Sequence, residues 1–95
     1  MAMRVRLAGD LHKLTGSNII EIEGNDQGGL TLGQAVQELV RRYPRLGEQL
    51  FDEQGRIRYT WLLVSDGQTL DWRRDRDRIL AEGGELLIMR FFSGG

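Results

Sequence analysis

One stretch of this chain, Thr31 to Pro44, reads as a helix with a marked start and a marked stop, while the segments on either side read mainly as strands and turns. Thr31 is a good N-cap, and Gln34, three residues on, completes a capping box. Leu32, Ala35, Val36, Leu39, Val40 and Tyr43 recur at three- and four-residue spacing, which puts them on one face. Arg41 and Arg42 fall in the last turn, where the helix dipole favours cations. Pro44 then restricts Tyr43 and blocks continuation. Leu46, Leu50 and Phe51 are spaced for one further short turn. A chain with one such helix must bury its apolar face against something, and the strands around it supply the sheet.

Met3, Val5 and Leu7 alternate with Arg4 and Arg6, the period of a half-buried strand. Ile20 and Ile22 alternate with Glu21 and Glu23 after the turn residues Thr15–Asn18, so Ile19–Glu23 is expected to pair with the first strand as a hairpin. Ile57–Val64 is rich in β-formers. Ser65-Asp66-Gly67-Gln68 is a tight-turn signal leading to a short strand over Thr69–Trp72. Arg73 to Arg78 alternate in sign and read as solvated surface; the arginines around Asp75 and Asp77 argue against a metal site there. Glu85–Phe92 is the last strand. The order strand, strand, helix, strand, short strand, strand is an α+β plan: a mixed sheet of four to five strands with one main helix on one face. The first and last strands are expected side by side and parallel in its centre. A single domain over residues 1–91 and a flexible tail over 92–95 are expected.

The 95 residues suit one domain with one core. The formal net charge of −1, from 13 basic and 14 acidic side chains, gives no general pull toward nucleic acid or an anionic membrane. No apolar run approaches the ~20 residues of a membrane span. The first 20 residues have no apolar signal-peptide core, so cytoplasm is the expected location. With no cysteine, disulfides, thiolate metal sites and a cysteine nucleophile are excluded. The single histidine, His12, lies among polar residues and reads as surface; no catalytic triad or metal cluster is expected.

The sequence closes on Phe91, Phe92, Ser93, Gly94 and Gly95, directly after the apolar run Leu86–Met89. Glycine lacks a Cβ and passes through narrow channels in conformations that other residues avoid. One reading is an arm that presents the carboxylate of Gly95 as a reactive group. The other is an ordinary frayed chain end. In the last strand, Leu86 and Ile88 would face the helix. Leu87, Met89 and Phe91 would then face outward as a partner-docking row, which Phe92 could join. The alternatives are that neighbouring elements cover the row, or that the protein dimerises through it.

These pieces in this order resemble the ubiquitin-like β-grasp sulfur carriers: the small subunit of molybdopterin synthase, the thiamin-thiazole sulfur carrier and the carrier of a cysteine-synthesis pathway. The resemblance rests on Met3–Leu7, Thr31–Leu39, Leu62–Gly67, and the ending Leu80–Ile88 followed by Ser93-Gly94-Gly95. Two departures are Ser65-Asp66-Gly67 where the family often has Asn-Gly, and Arg90-Phe91-Phe92 where prolines commonly stiffen the exit.

The resemblance implies a carrier protein and co-substrate, with no catalytic residues and no bound cofactor or metal. An adenylating enzyme related to ubiquitin-activating enzymes would use MgATP to convert the Gly95 carboxylate to an acyl-adenylate. A sulfur donor, such as a sulfurtransferase, would displace AMP and leave a thiocarboxylate for an acceptor synthase. Gly94 and Ser93 would form the slim tail; extended, residues 92–95 reach roughly 13 Å. A protein modifier forming isopeptide bonds through Gly95, or a plain β-grasp interaction module, are the alternatives.

Overall fold

The computed structural model describes residues 2–24, 29–80 and 83–90. The elements in chain order are β1 (Ala2–Leu7), a 3-10 turn (Gly9–Leu14), β2 (Ile19–Glu23), β3 (Leu30–Thr31), α1 (Leu32–Arg42), α2 (Pro44–Leu50), β4 (Trp61–Ser65), β5 (Gln68–Leu70), α3 (Trp72–Asp75), β6 (Ile79–Leu80) and β7 (Glu85–Arg90). Five strands form one mixed sheet in the order β2-β1-β7-β4-β5. β1 and β7 run parallel, with Val5 opposite Leu86 and Leu7 opposite Ile88, and the other pairings are antiparallel. This is the expected α+β plan. β3 and β6 add a two-stranded ribbon that the sequence did not signal.

Alternation decides which side of each strand meets the helix. Met3, Val5 and Leu7, Ile20 and Ile22, Leu63, Leu86 and Ile88 all point to one face and are buried there with Leu32, Ala35, Val36 and Leu39 of α1. The capping box forms as expected: the Thr31 N–H donates to Gln34 Oε1 at 2.9 Å, and the Gln34 N–H donates to Thr31 Oγ1 at 3.0 Å. Such a cap is worth about 1 kcal/mol.

Pro44 does more than stop α1. It stands at the first position of α2, where its missing N–H costs nothing. The two helices then cross closely at Gly47, where an added Cβ would lie 2.6 Å from Val40 Cγ1.

Three segments differ from the expected reading. Of Ile57–Val64, only the part from Trp61 onward is strand; Ile57 makes an isolated bridge to Phe51, and Tyr59 and Thr60 form a turn. Trp72 starts a helical turn and does not close a strand. The charged run Arg73–Arg78 is not uniformly solvated, because Asp75 is buried and accepts the Asp71 N–H at 2.8 Å. The β4–β5 connection is the expected tight hairpin: Asp66 and Gly67 have φ of 50° and 80°, the signs of a type I′ turn.

Two substitutions test this packing. Leu39→Ala, in the fully buried face of α1, is expected to cost roughly 2–5 kcal/mol in urea unfolding. Gly47→Ala gains up to ~1 kcal/mol of helix propensity. Val40 is β-branched and stiff at χ1, so the clash should prevail, with a net loss of about 1–3 kcal/mol.

Candidate functional site

The face of the sheet opposite α1 is an array of side chains set by strand register. Arg6 lies between Ile19 and Leu87, Leu87 pairs with Val64, and Val64 pairs with Thr69. One row of side chains therefore crosses all five strands. One step along, Met89 pairs with Leu62. Leu62, Val64, Leu87 and Met89 form an apolar block in the middle of this face, each half-buried. They shield one another, and no helix among the described residues covers them, which accounts for their being neither buried nor fully exposed. The block is bordered by Arg4 and Arg6 on β1 and by Glu85 at the start of β7; Arg6 Nε donates to Glu85 Oε1 at 3.1 Å. On the β5 side stands the exposed Thr69.

The structure thus places Leu87 and Met89 on the outward side, with Leu86 and Ile88 fully buried behind them, as expected. Leu62 and Val64 belong to the same block, and sequence reasoning did not include them. The signal was present: β4 and β7 are apolar at nearly every position, whereas a one-sided antiparallel strand alternates. Phe91, Phe92, Ser93, Gly94 and Gly95, together with the expected domain boundary after residue 91, lie outside the described residues.

Arg90, the last residue of β7, is held on two sides. Its Nη2 donates to Asp10 Oδ2 at 3.2 Å and to Oδ1 at 3.4 Å. The guanidinium also lies 4.5 Å from the centroid of the Trp61 ring, a cation–π distance. Trp61 is itself fixed, because its Nε1–H donates to the Gln49 carbonyl at 2.7 Å. Asp10 sits on the 3-10 turn, which is tied to β7 by the Ala8 N–H donating to the Ile88 carbonyl at 3.0 Å. The Arg90 hydrogen bond, helped by the arginine's charge, lowers the Asp10 carboxyl below the usual carboxylate range.

His12 is exposed and its Nδ1 lies 2.8 Å from the Gly9 carbonyl, a local turn contact. Among the described residues no group of three His, Asp or Glu side chains is placed to hold a metal ion. Asp75 is engaged in α3 and by Arg74, whose Nη2 is 3.2 Å away. Also among the described residues, no helix is long and apolar enough to cross a membrane.

Sheet order, parallel central pair and single main helix define a ubiquitin-like β-grasp protein. Solved structures that the chain resembles include SAMP1 from Haloferax volcanii, at 25% identity over 100% of both chains with a TM-score of 0.83. CysO in the Amycolatopsis orientalis BexX/CysO complex is 18% identical over 99% of this chain and 100% of that chain, with a TM-score of 0.77. The putative molybdopterin converting factor subunit 1 from Pyrococcus furiosus is 19% identical over 95% and 97%, with a TM-score of 0.71. Neither a family profile nor a curated protein matches the chain.

The clamp makes a pH prediction. Because the folded Asp10 pKa is depressed, its contribution to stability is present above the unfolded value of ~3.9 and is lost as pH falls through the folded value. An NMR titration of the Asp10 carboxyl should show a low midpoint that returns to the ordinary range in Arg90→Ala.

Proposed function

We propose that this protein is a sulfur carrier that works through the carboxyl group of Gly95. The observation that carries the reading is the combination, in one β-grasp domain, of an open apolar sheet face with a central strand that leads from that face into the Phe91–Gly95 segment. Similarity to CysO, crystallised with BexX, and to a molybdopterin converting factor subunit supports it. On this reading the chain is a co-substrate: an adenylating enzyme docks on Leu62, Val64, Leu87 and Met89, and the Gly94-Gly95 tail enters its active site.

The chemistry follows from the carboxylate. It is a poor electrophile at neutral pH. Its attack on the α-phosphorus of MgATP releases pyrophosphate and gives an acyl-adenylate. A sulfur nucleophile then attacks the carbonyl carbon and expels AMP. With sulfide as the nucleophile the product is a terminal thiocarboxylate directly; with a persulfide donor the acyl disulfide that forms is cleaved by a second thiol, which ends as a disulfide with the donor. The thiocarboxylate then delivers sulfur to an acceptor synthase. Cytoplasm is the compartment that supplies ATP and the partner enzymes. The second reading, a protein modifier, is favoured by the likeness to SAMP1, a small archaeal modifier protein. It shares the adenylate and differs in the attacking group, a lysine amine.

Deletion of Gly95 is expected to abolish pyrophosphate release by the activating enzyme while the thermal unfolding curve is unchanged; retained release would sink the carrier reading. Met89→Asp places a charge in the centre of the apolar block. It should weaken docking about tenfold, roughly 1.4 kcal/mol, measured by calorimetry with the activating enzyme.

A further inference from the structure

A second concavity lies away from the open sheet face. It is a groove of about 800 Å³ between the loop that precedes β4 and the corner joining β5 to α3. Its floor is apolar. Trp61, Leu63 and Leu70 are buried beneath it, and the half-buried Trp72 stands edge-on to Phe51 with ring centroids 5.4 Å apart. Its rim is cationic: Arg56, Arg58 and Arg73 are exposed around it, beside Tyr59, which is 84% exposed.

Two carboxylates also line the groove, and both are engaged by backbone. Asp52 Oδ1 accepts the N–H groups of Gln54 and Arg56 at 2.9 and 3.0 Å. Asp71 Oδ1 caps α3, accepting the Arg73 N–H at 2.9 Å. Arg56 leans on Asp52 at 3.7 Å. Arg58 and Arg73 have no ion-pair partner among the described residues. A guanidinium is weakly hydrated and accepts a carboxylate through two parallel hydrogen bonds. Tyrosine, tryptophan and arginine around an apolar trough are the residues that dominate binding energy at protein interfaces.

We propose that this groove is a second docking site, for an acidic peptide segment of a partner protein. An apolar side chain of that segment would lie over Trp61 and Trp72, while its flanking carboxylates reach Arg58 and Arg73. Charge complementarity selects the occupant: the floor takes a hydrocarbon or aromatic side chain, and the rim takes acidic neighbours. Arg58 and Arg73 stand as separate cations around an apolar floor, which suits a short segment with one apolar side chain between carboxylates better than a continuous phosphate chain. The groove shares no residue with the block of Leu62, Val64, Leu87 and Met89. The inference does not depend on the sulfur-carrier reading.

The test is an NMR titration of the full ¹⁵N-labelled chain with the peptide acetyl-Asp-Glu-Phe-Glu-Asp-amide. Saturable shifts are expected at the Trp61 and Trp72 indole N–H signals. The double variant Arg58→Glu, Arg73→Glu, changed only at exposed positions, should bind about tenfold more weakly, as two exposed ion pairs imply. Met89→Asp should bind as the parent does. Absence of saturable shifts, equal binding of acetyl-Lys-Arg-Phe-Arg-Lys-amide, or a stronger response to oligouridylate would each overturn the proposal.

Discussion

The parallel pairing of β1 with β7 joins the two ends of the sequence, and the other features depend on it. Arg4 lies opposite Glu85 and Leu7 opposite Ile88. This register sets which residues of β7 are buried. A slip by one residue would bring Leu87 and Met89 to the helix and push Leu86 and Ile88 outward. Both pairs are apolar, so hydrophobicity within β7 alone does not choose between them. The choice comes from neighbours with only one apolar face: β1 presents Arg4 and Arg6 on the open side, and β2 presents Glu21 and Glu23.

The same pairing brings the 3-10 turn beside the end of β7. Arg90 can then reach Asp10, a contact between residues 80 positions apart. The Asp10 carboxylate and the Trp61 ring together fix the Arg90 side chain at the end of the described part of β7. The edges of that sheet are also managed. At the β2 edge, Arg42 Nη1 donates to the Glu21 carbonyl at 2.8 Å, so a side chain from α1 occupies a backbone acceptor that another strand would seek. At the other edge β5 is only three residues long. Partner binding is thereby biased toward faces and away from strand addition.

Local chemistry was legible in the sequence where a short segment carried its own signal. The Thr31–Gln34 capping box, the Asp66-Gly67 turn and the alternation in β1 and β2 all specify structure from a few adjacent residues. The inward and outward sides of β7 were read correctly by the same alternation. What escaped depends on distant partners. β3 and β6 are two residues each and show no periodicity. Ile57–Thr60 has the composition of a strand, but the ladder with β7 begins at Trp61, leaving Arg58 and Tyr59 on a groove rim. The run from Arg73 looks solvated because its charges alternate, yet Asp75 turns inward to accept the Asp71 N–H. The apolar block needed β4 and β7 to be set side by side before Leu62 and Val64 could be added to Leu87 and Met89.

An intact mass of the protein after incubation with its adenylating enzyme, MgATP and a sulfide source tests the central claim most directly. A thiocarboxylate carrier predicts a species in which one oxygen is replaced by sulfur, dependent on ATP and absent from a chain lacking Gly95. An unchanged mass, while the enzyme turns ATP into AMP and pyrophosphate in the protein's presence, would contradict it.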